Sequence, residues 1–554
     1  MIENGIKRAV GIFGAASMAF TLLVGCGHEP ESSAAVASEI SVYDDVSVPD
    51  VASVPNLETV PDAASVPDLE TASDAASVPN LETVPDLETT SDVMSKAESE
   101  SEPESMDEEQ TVEYGSMHEI PAGSTPDINP LKGLIAYAED TSFPQSMEWF
   151  YIGVNEVETA EGVYDWTALE KRLEPIAERG HQAVFRFYYD YPGEDSGVPQ
   201  YLTDKYGLEM KPYNEPRRLG GAGLSPDYSN VYFRQSMQNF IAAFGKEYDG
   251  DPRIGFITEG LLGFWGEWHN WPYDEEDSEE GDRWKIPTEV YAEVYNSFDK
   301  AFDVTALLVR EPKKGVDNVS FKTGYHDDSF AYETLSSDNG GNEWGFMQRL
   351  KDQGVQNAWQ SGCIGGEVYP SIQDKVFKDF SIPFLGEHVQ DWDRCVKETH
   401  ASWLICDRIK RYQGKERENA INASKGLGYD LQVTRAFYSD TVGKDMPLSV
   451  MVEIKNNGVA PFYYDHRTWP VVIGVIKDNE LVNSWETNWD LPNVRADQKA
   501  VMFRTTIDRH ELEEGTCILC IKVKNPLEEG CDFHFANRDE LSGGWLSLGT
   551  FEIK

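Results

Sequence analysis

Two glutamates in aromatic surroundings stand out as groups that could do chemistry. Glu267 lies in Gly263-Phe264-Trp265-Gly266-Glu267-Trp268-His269, directly after an apolar run that reads as a strand. Glu367 lies in Gly365-Gly366-Glu367-Val368-Tyr369-Pro370, again at a strand end beside an aromatic ring. A third group, Arg186, sits in Phe185-Arg186-Phe187-Tyr188-Tyr189-Asp190. A cation in so aromatic a strand needs an anionic partner, because burying it alone is costly. Paired carboxylates are what hydrolysis of a glycosidic bond requires, one protonated as acid and the other ionised as nucleophile or base. Desolvation by Phe264, Trp265 and Trp268 would raise the pKa of Glu267 and suit it to the acid. Arg186, if it approaches Glu367, would keep that group ionised as nucleophile. The same residues also admit a purely structural reading, in which Glu267 and Arg186 form an ion pair.

Around these groups, Trp265 and Trp268 offer faces on which a sugar ring could stack, and His269 could orient Glu267. Tyr325-His326-Asp327-Asp328 follows a predicted strand and could contact sugar hydroxyls or a metal, with Tyr325, His326 and Asp327 as the candidate sugar contacts. A solvated turn is the alternative for that run. No cofactor or metal is expected. Cys517-Ile-Leu-Cys520 has CxxC spacing, but no second CxxC and no pair of histidines accompanies it, so it reads as part of a buried strand. A disulfide involving Cys531 is open. The acidic run Asp274–Asp282 lacks the ligand spacing of an EF-hand and reads as a solvated loop. Nothing matches a Ser-His-Asp elbow, a Walker loop or a dinucleotide fingerprint.

Strands and helices alternate from about residue 111 to 426, and this alternation must position those side chains. Predicted strands are Met147–Gly153, His181–Tyr188, Arg253–Thr258, Ala306–Arg310, Val319–Tyr325, Cys363–Tyr369 and Ala401–Cys406. Predicted helices are Trp166–Arg179, capped by Gly180, then Arg234–Tyr248 and Pro287–Phe302. The alternation predicts a (β/α)8 TIM barrel, whose active site lies at the C-terminal ends of its strands. From 427 to 554 the helical period vanishes. Tyr429–Thr434, Leu448–Ile454, Val471–Ile476, Ala500–Thr506 and Trp545–Ile553 read as strands of an immunoglobulin-like β-sandwich.

The remaining sequence concerns location. The formal net charge is -50, which argues against nucleic acid as a partner. Residues 26–110 are acidic and rich in Pro and Ser, with Ser-Val-Pro-Asp units recurring, and predict a disordered stalk. Lys7 and Arg8 precede an uncharged apolar run, Ala9–Val24, that is too short to span a bilayer and reads as a signal peptide over 1–25. Its ending, Leu23-Val24-Gly25-Cys26, resembles the lipobox of bacterial lipoproteins. That resemblance implies a diacylated Cys26 as mature N-terminus, and so a membrane partner through the lipid alone, on the extracytoplasmic face.

The segment Glu148–Tyr188, with Glu161-Gly-Val-Tyr-Asp-Trp at its centre, resembles the opening of retaining glycosidase barrels, including the beta-galactosidase-like families. The resemblance implies a carbohydrate substrate and an Arg closing the second strand, matched by Arg186. It further implies an acid/base Glu after the fourth strand, matched by Glu267, and a nucleophile after the seventh, matched by Glu367. Those enzymes carry Asn before the acid/base, where this chain has Gly266. Asn129-Pro-Leu-Lys-Gly, Ser146-Met-Glu-Trp-Phe-Tyr, Gly180–Tyr188, Gly260–His269 and Gly324-Tyr-His-Asp-Asp also resemble a pair of uncharacterised domains found together in secreted bacterial proteins. That second resemblance covers about 125–550 and implies a glycosidase-like barrel followed by a sandwich.

Overall fold

The computed structural model describes residues 114–214, 221–274, 284–313, 316, 323–378 and 389–554. The chain divides into units 1–98 and 99–554, and the described residues belong to the second. The expected signal peptide with Cys26, the expected stalk and nearly all of the acidic run 274–282 lie outside the described residues.

Eight parallel strands close into a barrel: β1 (Gly133–Tyr137), β2 (Met147–Gly153), β3 (Gln182–Tyr188), β4 (Ile254–Thr258), β5 (Leu307–Val309), β6 (Thr323–Phe330), β7 (Ile364–Val368) and β8 (Trp403–Ile405). Seven of these correspond to predicted strands. The eighth, β1, was not anticipated. It pairs with β8 on one side (Leu134 opposite Leu404) and β2 on the other (Tyr137 opposite Trp149), and so closes the ring. Counting from β1, Arg186 lies on the third strand rather than the second, the loop bearing Glu267 follows the fourth, and Glu367 lies on the seventh.

Strand periodicity sorts the side chains. On β2, Phe150 and Ile152 join the core beneath the helices, whereas Met147 and Trp149 join a second core inside the barrel. Val184 on β3, Phe256 on β4, Leu308 on β5 and Trp403 on β8 share that interior. The helices Thr167–Glu178, Val231–Tyr248 and Thr288–Ala301 pack outside through Leu169, Leu173 and Ile176, through Phe233, Phe240 and Phe244, and through Val290, Val294 and Phe298. Gly180 has the left-handed φ of +77° expected of a helix-ending glycine. A Cβ there would lie 2.7 Å from the Glu529 carbonyl of the sandwich, so close packing as well as conformation demands glycine.

The sandwich has a four-stranded sheet in the order Ser116–Glu119, Leu431–Tyr438, Leu448–Asn456, Val501–Ile507. The facing sheet has the order Thr441–Val442, Leu546–Ile553, Gly515–Val523, Val471–Lys477, Glu480–Glu486. Ser116–Glu119 precedes the barrel in sequence yet pairs antiparallel with Leu431–Tyr438, so the boundary expected at 426/427 is crossed by one strand. The six cysteines from Cys363 to Cys531 are all unpaired.

The sandwich covers the N-terminal mouth of the barrel. Tyr464 Oη donates to the Gly255 carbonyl at 2.6 Å and accepts from the Ala306 amide at 3.1 Å, tying the starts of β4 and β5 to the sandwich. The barrel interior and the sandwich share one continuous apolar core. This leaves the C-terminal mouth as the end where polar side chains gather.

Candidate active site

The inward-facing positions turn polar at the C-terminal ends of the strands. Tyr137 ends β1, Tyr151 and Arg186 lie opposite each other on β2 and β3, and Arg310 follows β5. His326 and Asp328 alternate on β6, and Glu367 lies on β7.

Glu267 reaches this layer from a tightly folded loop. Leu261, Trp265 and Trp268 have φ of 72°, 56° and 63°, and Gly263 and Gly266 have 72° and 70°. Non-glycine residues in that region are strained and need surrounding structure to hold them. The Trp265 amide donates to the Asp190 carbonyl at 2.9 Å, and the Trp268 amide to the Leu262 carbonyl at 2.8 Å. Gly266 stands where the resembling enzymes have Asn. A Cβ there would lie 3.1 Å from the Arg186 side chain, the Gly260 Cα and the Phe187 carbonyl, so an Asn would be strained in both conformation and packing.

Arg186 is fully buried and is the hub. It donates from Nη1 to Glu267 Oε1 at 3.2 Å and from Nε to Thr258 Oγ1 at 3.1 Å, and pairs through Nη2 with Asp328 Oδ1 at 3.5 Å. Its guanidinium stands over the rings of Trp149 and Tyr151, at 5.5 and 5.8 Å. The expectation that Arg186 would hold Glu367 is therefore corrected: its hydrogen bonds go to Thr258, Glu267 and Asp328, and it acts on Glu367 only through its charge.

Asp328 also accepts from Arg310 Nε at 2.6 Å and lies 2.7 Å from His326 Nδ1. Burial alone would raise its pKa, but its contacts with His326, Arg186 and Arg310 outweigh it, so the group stays ionised. Glu267 moves the other way. Burial, then the charge of Asp328, raise it to about 7 against the opposing pull of Arg186. Glu367 is raised well above the carboxylate range, first by burial and then by the charge of Glu267, with Gln373 Nε2 donating to it at 3.4 Å. Burial thus biases both carboxyls toward the protonated form, Glu367 more strongly than Glu267.

His269 accepts a hydrogen bond from the Trp271 amide at Nδ1 (3.1 Å), which places its proton on Nε2, 3.4 Å from Glu267 Oε2. Burial and the charge of Arg310 depress its pKa to about 3, so it is a neutral donor to Glu267. Trp265 is half-buried beside it, with ring centroids 6.3 Å apart.

Three of the expected sugar contacts lie elsewhere. Trp268 is buried against Tyr291, its Nε1 donating to the Glu259 carbonyl at 2.7 Å. Tyr325 faces the helix-side core. Asp327 accepts from Thr334 Oγ1 at 2.6 Å and the Ser329 amide at 2.9 Å, bracing the turn after β6. Strand alternation explains the last two: in Tyr325-His326-Asp327-Asp328 the odd members face outward and the even ones inward. Asp328, the last member of that run, does reach the site, while Arg310, Gln373, Tyr137, Tyr151 and Tyr191 were missed. Each of the three tyrosines lies within charge range of both Glu267 and Glu367.

No family model matches the chain, and no curated protein matches it. Among solved structures, it is similar to endo-glycoceramidase II from Rhodococcus, with 11% identity over 70% of this chain and 99% of that one and a TM-score of 0.30. It is similar to a family 39 glycoside hydrolase from Bacteroides cellulosilyticus, with 10% identity over 65% and 79% of the two chains and a TM-score of 0.29. A CARDB domain from Pyrococcus furiosus matches with 16% identity over 23% of this chain and 89% of that one, with a TM-score of 0.14. Likenesses this coarse transfer neither a residue role nor a reaction.

Proposed function

We propose that the chain is a surface-anchored glycoside hydrolase that acts on extracellular glycans by a retaining, two-carboxylate mechanism. The observation that carries this reading is a pair of carboxyls, from the loop after the fourth strand and from the seventh, that gather at the C-terminal end of the barrel and are both raised in pKa by burial, Glu367 also by the charge of Glu267. Glu267 serves as acid/base. A pKa of about 7 suits a group that must give up a proton in one step and take it back in the next. Glu367 serves as nucleophile. Protonation of Glu267 removes the charge that most opposes ionisation of Glu367. The Gln373 amide then donates to the anion. Arg186 and His269 hold Glu267 in place, and Trp265, Tyr137, Tyr151 and Tyr191 border the sugar. The lipid on Cys26 and the acidic stalk would hold this mouth outside the cell.

One observation favours a non-catalytic glycan-binding protein instead. The Arg186–Glu267 contact at 3.2 Å is also what a structural ion pair would make.

Turnover decides between the two. The full chain is assayed on aryl glycosides and polysaccharides beside Glu267→Gln and Glu367→Gln, with the product anomer read by NMR. Loss of about 10²-fold to 10⁴-fold or more in each variant is expected, with retained configuration in the parent. Glycan binding with no turnover, unchanged by both substitutions, would establish the binding protein.

A further inference from the structure

Asp190 is a buried carboxyl that the proposed mechanism does not use. It lies two residues beyond β3 and is 1% exposed. Its Oδ1 accepts a hydrogen bond from the Tyr213 hydroxyl at 2.5 Å. Burial raises its pKa to about 7 against the pull of that bond, so a carboxyl here costs the fold something that an apolar residue would not.

Tyr213 comes from a separate element. Met210–Asn214 and Ala222–Pro226 pair antiparallel, with Tyr213 opposite Gly223. A Cβ at Gly223 would overlap the Tyr213 hydroxyl, so this glycine gives the ring room to reach across to Asp190. The Gly193 amide donates to the Ala222 carbonyl at 2.9 Å and ties the two strands to the turn after Asp190. The Tyr213 ring packs against Phe264 at 4.6 Å and Trp284 at 6.1 Å, in a small core separate from the two large ones.

Phe264 and Trp265 belong to the loop that carries Glu267, and the main chain of Asp190 grips that loop directly. Asp190 bridges to Phe264 in a short parallel pairing, and its carbonyl accepts from the Trp265 amide at 2.9 Å. The Trp265 carbonyl in turn accepts from Arg186 Nη1 at 3.5 Å. Trp265, with its φ of 56°, needs such contacts to hold it. Two residues on, the Glu267 amide donates to the Phe264 carbonyl at 2.8 Å. A shift at Asp190 is therefore passed to Glu267 through contacts on successive residues, and a misplacement of about 1 Å can cost about 10²-fold in rate.

We propose that Asp190 is a positioning residue for the acid/base: clamped by the Tyr213 hydroxyl, it fixes the Trp265 peptide and so the loop that presents Glu267. The proposal rests on the glycoside hydrolase reading and extends the machinery of that site to a pair of strands outside the barrel.

The test uses the full chain and the variants Tyr213→Phe, Asp190→Ala and Asp190→Asn. Hydrogen exchange read by mass spectrometry reports on the loop with or without turnover. The constants kcat and KM are measured on the aryl glycoside that the parent hydrolyses best. Loss of one buried hydrogen bond corresponds to about a tenfold change in an equilibrium. Exchange over residues 260–270 should therefore rise about tenfold in Tyr213→Phe and Asp190→Ala, with the helix Thr167–Glu178 unchanged. In both, kcat should fall about tenfold or more while KM stays within about twofold of the parent. Asp190→Asn keeps an acceptor for the Tyr213 hydroxyl and should leave both readouts near the parent values. If Asp190→Ala does not fold, Tyr213→Phe decides alone. Unchanged exchange over 260–270 overturns the proposal, and so does a rise spread equally over the helices. A higher KM at constant kcat, or loosened exchange with both constants unchanged, also overturns it, as does Asp190→Asn impaired as much as Tyr213→Phe. Exchange that responds as expected in a protein without turnover would sink only the hydrolase reading and leave the clamp on the loop standing.

Discussion

Replacing Glu267 by Gln should stabilise the protein at alkaline pH while abolishing activity. Burial raises Glu267 from 4.5 to about 7 despite its hydrogen bond from Arg186, so its charged form is less at home in the folded protein than in the unfolded chain. At about 1.36 kcal/mol per pH unit between those two values, the ionised side chain costs about 3 kcal/mol. The folded protein keeps a proton that the unfolded chain releases between pH 4.5 and about 7. The stability tied to that proton is therefore fully present below pH 4.5 and lost as pH rises through about 7. Glutamine mimics the neutral acid and does not titrate. For a folded part of about 440 residues, the unfolding entropy is about 0.9 kcal/mol per degree, so 3 kcal/mol corresponds to about 3 °C. Calorimetric melts of both proteins should show the Gln variant about 3 °C higher in Tm at pH 8 and level with the parent near pH 4.5. A variant destabilised at pH 8 would refute the reasoning. It would mean that the fold favours the anion, and that Glu267 and Arg186 are a structural ion pair.

Two further perturbations address the elements around the site. Tyr464→Phe removes the hydrogen bonds to the Gly255 carbonyl and the Ala306 amide and leaves both groups unsatisfied at a buried joint. A loss of about 2–4 kcal/mol is expected, read as a lower Tm of the full chain, and an unchanged Tm would mean that the sandwich does not brace the barrel mouth it covers. Cys26→Ser should shift the protein from the membrane fraction to the soluble fraction and abolish labelling by a fatty-acid analogue. Retention in the membrane without label would reject lipid anchoring at this residue.

The local signals in the sequence were enough to identify the strand–helix alternation, because apolar spacing differs between periods of 2 and 3.6 whatever the tertiary context. They located Gly180 as a helix end and Glu367 at a strand end, whereas Glu267, expected directly after a strand, lies on a loop well beyond Thr258. They missed β1, since Gly133-Leu-Ile-Ala-Tyr is only five residues long and offers no alternation between apolar and polar residues. Such a strand is recognised by what pairs with it.

The choice among neighbouring polar residues was also beyond the sequence. In His326-Asp327-Asp328 a shift of one residue separates a side chain in the site from one bracing a turn, and only the barrel's closure sets which face is inward. The partner of Arg186 was equally undetermined, because Glu267 and Glu367 are 100 residues apart and either could satisfy the cation. What the sequence determined by itself is the chemistry available: two carboxyls, a buried guanidinium and an aromatic setting, together with the period that builds the barrel. What only the tertiary structure decided is which of these groups meet. Burial and ion pairing, which set the protonation of Glu267 and Glu367, arise only when eight strands from distant parts of the chain close around them.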